Sequence, residues 1–433
     1  MKKNNISVSI LPVNVLKGEI VASSSKSYTH RAVITSIFTK KTIIINPLKC
    51  DDTAATLNVI RQLNKNVEIN GNKITIWDKN CKVDKSLSGI KHINVGESGT
   101  LLRILLSILC ARNGKYMING EGSLRTRPNT AVVNALSQIG ADIQGTGRKQ
   151  TVPFRVIGTP SLMHGIIEIS GAQSSQTVSS LILASAENND GVVIKISDRL
   201  VSRPYVDITI DVLKHFGVTV VNYMGKYKKF IIPCGQKVKN VVKYKINGDY
   251  SSAAFIITAG CLTKSELTIS GLLDDKQGDK RIIAILNAMG AKIGYNCGKV
   301  MINGPYNLHG IDIDAGDIPD LVPVLVVAGA FASGKTRIRN IKHLAIKESN
   351  RIKTPCEELR KLGGNVTFDD KMIEIKHSQL RYGKVDSRND HRVAMAMAVA
   401  GICAKGVVIT NAQAVAKSYP LFFKHLSILG VKQ

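Results

Sequence analysis

Residues 283–293 read IAILNAMGAKI. Ile285, Leu286 and Met289 fall at helical spacing, and Gly290 then interrupts the pattern ahead of a short segment ending in Ile293. A helix that stops at a left-handed glycine and passes into a strand accounts for this stretch locally. The same reading fits residues 57–69 (LNVIRQLNKNVEI), 132–143 (VVNALSQIGADI), 210–220 (IDVLKHFGVTV), 356–366 (CEELRKLGGNV) and 423–431 (FKHLSILGV). The breaking residues are Asn64, Gly140, Gly217, Gly290, Gly363 and Gly430, at intervals of 76, 77, 73, 73 and 67 residues. Near-constant spacing over six units means internal repetition, and the period is too long for a solenoid of small repeats. Each unit has room for two helices and several strands, and three units per domain give two domains of comparable size.

Bulk properties agree. A chain of 433 residues exceeds one ordinary core. With 44 % hydrophobic and 21 % charged residues it is globular in composition. The net charge of +27 (59 − 32) admits nucleic acid, anionic membrane or small anionic substrates as partners. The lysines are scattered, however, and aromatics are only 5 %, too sparse for base-stacking platforms. Most of the excess charge therefore reads as composition, and no nucleic-acid partner is expected. The eight cysteines stand apart with no CxxC, so reduced thiols and a cytoplasmic location are expected. The start, MKKNNISVSILPV, lacks the long apolar run of a secretory leader. The longest apolar stretch, residues 321–332, is too short to span a bilayer, so no membrane role is expected.

Several segments have the residue types of anion-binding helix starts. Residues 23–31, SSSKSYTHR, place small polar groups and the cations Lys26 and Arg31 ahead of a helical pattern. Residues 96–103, GESGTLLR, form a glycine-bearing turn that feeds a helix. Residues 124–128, LRTRP, offer two arginines able to fork onto carboxylate or phosphate. Residues 170–180, SGAQSSQTVSS, crowd hydroxyls and an amide at another helix start, and Ser202, Arg203, Pro204 and Tyr205 form a further polar turn. Each has an ordinary reading as a plain cap or a solvated loop.

The richest group lies near the end. Asp317 and Asp320 flank Ile318-Pro319. Lys347, Glu348 and Arg351 have one-turn helical spacing, which predicts that Lys347 and Arg351 share a helix face. Asp390-His391-Arg392 and Lys417-Ser418-Tyr419-Pro420 precede two more helices. Acids, bases and cations together suit proton transfer beside anionic groups. Residues 329–336, GAFASGKT, satisfy a phosphate-loop pattern. The context is wrong: a helix precedes the pattern and a strand follows it. No metal, serine-nucleophile or dinucleotide motif is present.

Taken in order, KSYTHRA, ESGTLLR, RTRP, SSQ, SRPY, GDYSSAAF, IPD, KESNR, DHR and KSYP resemble the motif set of the 5-enolpyruvylshikimate-3-phosphate synthase family of enolpyruvyl transferases, from Lys26 to Pro420. That resemblance implies a two-domain inside-out α/β barrel with three βαβαββ repeats per domain. It implies transfer of the enolpyruvyl group of phosphoenolpyruvate to the 5-hydroxyl of shikimate 3-phosphate, with no metal or organic cofactor. By position, Lys26, Ser27, Arg31, Ser174, Ser175, Gln176, Ser202, Asp320 and Lys347 would bind shikimate 3-phosphate. Lys26, Gly99, Arg127, Gln176, Arg351, Arg392 and Lys417 would bind phosphoenolpyruvate. Asp320 would accept the proton of the attacking hydroxyl, Glu348 would handle the proton at the methylene carbon, and Lys26 would touch both substrates.

The sequence departs from the family at two places. Glu97 stands where many members have Asn, and His343 where a substrate-contacting Asn is frequent. Gly99 matches the glycine that lets glyphosate bind sensitive members. The related UDP-N-acetylglucosamine enolpyruvyl transferases use a loop cysteine, and residues 113–126, read as that loop, contain none. A basic RNA-binding protein is the alternative of another class. With the repeats as a guide, the expected domains are residues 25–246 and, discontinuously, 1–24 with 247–433, hinged at the two crossings; a monomer is expected.

Overall fold

The computed structural model describes residues 5–79, 89–160, 162–187 and 190–433. Two compact units are present, one of residues 26–246 and one of the segment up to Ser25 together with Asn247–Gln433. Each has its own hydrophobic core.

The repeat seen in the sequence is a repeat of structure. Asn64, Gly140, Gly217, Gly290, Gly363 and Gly430 all have positive φ, between 66° and 111°. At Gly290 the amide bonds to the Asn287 carbonyl at 3.0 Å and the next amide, Ala291, to the Leu286 carbonyl at 3.0 Å. This pair of bonds closes the helix Arg281–Ala288 and sends the chain toward the strand Gly294–Asn296. Gly140, Gly217, Gly363 and Gly430 end their helices with the same two bonds.

Each repeat builds one sheet. Five sheets have four strands and one has three. In the sheet of strands Ile90–Asn94, Gly114–Asn119, Asp142–Thr146 and Thr151–Gly158, the first pair is parallel and the others antiparallel. The remaining four-stranded sheets repeat that pattern. Three sheets are completed by distant chain, one of them by Leu16–Val21 beside Ser265–Ser270. Val241–Lys245 pairs with Lys41–Ile45, and Val8–Ile10 pairs with Val407–Thr410. Residues 113–126, read from sequence as a loop, contain the strand Gly114–Asn119, because its Tyr116 and Ile118 fill the core.

Two helix types alternate. Arg281–Ala288 and its counterparts are one-sided and cover sheets. Lys26–Thr35, Gly99–Cys110 and Ser175–Ala184 are buried along nearly their whole length in one unit. Tyr250–Leu262, Val322–Phe331 and His391–Cys403 are buried likewise in the other. Where a helix such as Val322–Phe331 is apolar on every side, that demands an interior position, whereas Lys26–Thr35 is buried together with its Thr29, His30 and Arg31. Helices therefore lie inside each unit and sheets outside, as expected for this fold. The helix Val322–Phe331 and the strand Lys335–Arg339 flank the GKT pattern, which rules out a phosphate loop there. Seven cysteines are free thiols, and Cys81 lies outside the described residues. Among the described residues no helix is long and apolar enough to cross a membrane.

Candidate functional site

The sequence-selected residues cluster where the six buried helices begin. In the unit of residues 26–246, Lys26 and Gly99 open their helices, and Ser174 caps a third by accepting from the Gln176 amide at 3.1 Å. In the other unit, Asp249 and Asp390 cap their helices, accepting from the Ser251 and Arg392 amides at 2.9 Å each. Asp320 stands just ahead of Val322–Phe331. The first turn of a helix leaves N–H groups without intrahelical partners and carries partial positive charge. Three such starts per unit suit anions.

Residues 26–246 contain three linked clusters. Lys26 Nζ lies 3.1 Å from Asp52 Oδ2. Arg31 is 1 % exposed and donates only to neutral oxygens: Thr209 Oγ1 at 2.7 Å, the Ser27 carbonyl at 3.0 Å, the Tyr205 carbonyl at 3.0 Å and Ser179 Oγ at 3.5 Å. Burial lowers its guanidinium to about 10, with Tyr205 and Tyr28 only partly opposing it. Ser202 sits in the turn that positions Tyr205, in the left-handed region at φ 54°. Its hydroxyl is buried without a partner. A buried cation and a buried unmatched hydroxyl are both costly until an anion arrives.

The third cluster centres on Gly99. A Cβ added there would fall 2.9 Å from Arg127 Nη1 and 3.1 Å from Arg103 Nη1. Arg127 is buried, whereas Arg125 is exposed, so the two arginines of RTRP do not act as one fork. Arg103 Nη1 donates to Gln176 Oε1 at 2.6 Å, and Gln176 Nε2 donates to Thr100 Oγ1 at 3.0 Å. Glu97 extends over Gly122, where an added Cβ would lie 2.6 Å from its Oε2. Gly99→Ala must push on the two guanidiniums, and overpacking of this kind costs about 1–3 kcal/mol. We expect it to raise the KM for the ligand of Arg127 about tenfold or more with a smaller change in kcat, as steady-state kinetics would register.

The other unit holds a network of buried ions. Arg351 Nη1 donates to Asp320 Oδ1 at 2.7 Å and Nε to Asp390 Oδ2 at 2.8 Å. Its Nη2 lies 2.8 Å from Glu348 Oε2. Arg392 Nη2 donates to Asp320 Oδ2 at 2.9 Å, and Nη1 to the Ser251 carbonyl at 2.9 Å. Burial would raise the Asp320 carboxyl, but Arg392 and Arg351 overcome it and hold the group well below the usual carboxylate range. Lys417 Nζ donates to the Asn389 carbonyl at 2.9 Å, beside Asp390. His343 is buried and Lys347 half-buried on the preceding segment.

One sequence expectation fails here. Lys347 and Arg351 do not share a helix face. Residues 347–350 are irregular, Lys347 is extended at φ −81° and ψ −157°, and the helix begins only at Lys353. The segment takes its shape from its ion pairs instead: Arg351 reaches Asp320 and Asp390, and Ser349 Oγ donates to Asp390 Oδ2 at 3.0 Å.

Sequence reading missed Arg103, Asp52 and Asp279 as site neighbours, and left Asp390 and Ser251 without a role. Arg103, Asp390 and Ser251 fell inside quoted motifs, which was the available signal. Asp52 and Asp279 had none. Among the described residues no group of three or more His, Cys, Asp or Glu is placed to hold a metal ion.

Comparisons with known proteins point one way. The family model described as EPSP synthase (3-phosphoshikimate 1-carboxyvinyltransferase) matches residues 10–426. The 3-phosphoshikimate 1-carboxyvinyltransferase of Methanococcoides burtonii is 36 % identical over 416 residues, 95 % of this chain and 96 % of that protein. Its namesake from Methanocaldococcus jannaschii is 37 % identical over 420 residues, 96 % of each chain. The solved EPSP synthase of Acinetobacter baumannii superposes with a TM-score of 0.80 at 25 % identity, covering 99 % of this chain and all of that one.

Proposed function

The chain belongs to the EPSP synthase family, and from that premise we propose that it transfers the enolpyruvyl group of phosphoenolpyruvate to the 5-hydroxyl of shikimate 3-phosphate, releasing phosphate. This is a step of aromatic amino-acid biosynthesis by the shikimate pathway. For shikimate 3-phosphate we propose Lys26, Ser27, Arg31, Ser174, Ser175, Gln176, Ser202, Asp320 and Lys347. For phosphoenolpyruvate we propose Lys26, Gly99, Arg127, Gln176, Arg351, Arg392 and Lys417.

One observation carries the mechanism. Asp320 and Glu348, the two carboxylates assigned to proton transfer, share the single guanidinium of Arg351, at 2.7 and 2.8 Å. That arginine is itself assigned to the anionic substrate. Asp320 is ionised but weakly basic, because two arginines stabilise its charge. When phosphoenolpyruvate draws Arg351 and Arg392 to its own charges, Asp320 loses part of that support and becomes a better acceptor. It takes the proton from the 5-hydroxyl as the oxygen bonds to C2, and the π pair takes a proton at the methylene carbon, delivered by Glu348. The tetrahedral adduct carries phosphate and carboxylate, and fixed cations stabilise it without reorganising. Loss of a methyl proton to Glu348 and departure of phosphate complete the exchange.

The same reading has the chain act as a cytoplasmic monomer on two small molecules, without nucleic acid or membrane. The family is the glyphosate target, and Gly99, which matches the glycine of sensitive members, supports sensitivity of this chain; undiminished activity at saturating glyphosate would sink that part. The test of function is phosphate release from phosphoenolpyruvate with shikimate 3-phosphate, beside a reaction with UDP-N-acetylglucosamine. Release with the shikimate substrate alone is expected, and release with the sugar nucleotide alone would overturn the acceptor.

A further inference from the structure

Asp279 lies in the short 3-10 turn Gly278–Lys280, against the start of the helix Tyr250–Leu262. It is 2 % exposed. Ser251 Oγ donates to its Oδ2 at 2.5 Å, while its Oδ1 is buried without a hydrogen-bond partner. The turn is fastened in place: Gln277 Nε2 donates to the Gly248 carbonyl at 2.8 Å, and Gln277 Oε1 accepts from the Tyr250 amide at 3.1 Å. Ser251 thus has two fixed ends. Its hydroxyl is held by Asp279, and its carbonyl receives Arg392 Nη1 at 2.9 Å. The opposite prong of Arg392 reaches Asp320 at 2.9 Å.

We infer that Asp279 is a positioning residue for phosphoenolpyruvate: by holding the Ser251 hydroxyl it fixes the carbonyl on which the Arg392 guanidinium hangs. The inference rests on the proposed assignment of Arg392 to that substrate. A purely structural carboxylate is buried only with its lone pairs satisfied. Here one oxygen is left over, in a place where the nearby charges are those of the reaction.

The charges around Asp279 support the idea. Asp320 and Asp249 are negative, Arg392 is positive, and Lys280 and Arg281 on its own turn and the following helix are exposed. Burial, then the Asp320 charge, push the Asp279 carboxyl up to about 7. Below that pH it is neutral and leaves Arg392 to anionic ligands. Above it, a second negative charge competes for the same guanidinium. The folded unit holds this proton more tightly than the unfolded chain, whose carboxyl titrates near 3.8. The associated stability is therefore fully present below that value and is lost as the pH rises through about 7.

The experiment uses the full chain with Asp279→Ala, Ser251→Ala, the double variant and Asp279→Asn. Asp279→Ala and Ser251→Ala should each raise the KM for phosphoenolpyruvate about tenfold, with kcat changed about threefold or less. The double variant should lose no more than either single one, since both break the same link. Asp279→Asn keeps an oxygen for the serine and should recover most of the loss. It should also flatten the rise of KM above about pH 7 and melt no lower than wild type at alkaline pH. Additive losses, an unchanged KM in Asp279→Ala, or an alkaline limb surviving in Asp279→Asn would each overturn the inference. Wild-type chain that does not turn over phosphoenolpyruvate at all would overturn the functional reading, and this inference with it.

Discussion

Asp320→Asn should lower kcat by roughly 10²–10⁴-fold without weakening the capture of phosphoenolpyruvate. Asp320 accepts from Arg351 at 2.7 Å and from Arg392 at 2.9 Å. Those are two of the cations proposed for the substrate, so the carboxylate competes with it. Asparagine keeps the shape and an acceptor oxygen but carries no charge. It cannot take the hydroxyl proton, and it yields the arginines more readily. Chemistry and binding should therefore move in opposite directions, which is an uncommon signature for an active-site substitution. Single-turnover rates and a calorimetric titration with phosphoenolpyruvate separate the two. A kcat within tenfold of wild type, or affinity falling together with rate, would remove Asp320 from the role of base. The arginines hold this carboxyl below its ordinary range, so its contribution to stability is present at neutral pH and lost as the pH falls below that range. Wild type and Asp320→Asn should accordingly converge in stability on acidification.

Arg351→Ala has the larger effect on folding. Arg351 is 1 % exposed, and the Asp390 side chain beneath it is fully buried. Asp390 takes two bonds from this guanidinium, at 2.8 and 3.2 Å, and also caps the helix His391–Cys403. Removing the arginine strands that carboxylate in the interior and leaves Asp320 and Glu348 with less cationic support. Breaking a buried pair from one side costs about 3–5 kcal/mol. The urea midpoint should fall accordingly, so lost activity in this variant reports folding as well as binding. Arg351→Lys keeps the charge but not the fork and should fall between. An unfolding free energy within about 1 kcal/mol of wild type would mean that Asp390 finds another partner, and that the network is not a structural element.

The legible part of this protein was local. A helix that ends at Gly290 and a helix that begins at Gly99 are each determined by a few neighbouring residues, through backbone freedom and through Ser98, whose Oγ accepts from the Leu101 amide at 3.3 Å. Repetition multiplied those local signals into two domains of comparable size, and the resemblance to the family supplied the inside-out barrel. Helix starts among the candidate site residues were legible for the same reason, since Lys26 and Ser174 stand at the beginnings of their helices. Lys347–Arg351 shows the limit. Helical spacing there was real, yet Asp390 and Asp320, at sequence separations of 39 and 31 residues, drew Arg351 into a network that no helix would satisfy.

By itself the sequence determined the six repeats and the set of cations and carboxylates at the helix starts that make up the candidate site. Only the tertiary structure decided which of those groups are partners. Val241–Lys245 completes the sheet of Lys41–Ile45 across about 200 residues, and Arg31 meets Thr209 at a separation of 178. Arg103 holds Gln176, and Ser251 ties Asp279 to Arg392. Backbone turns and caps depend on neighbours along the chain, whereas the charge state and reach of a buried side chain depend on whatever the packed core brings against it.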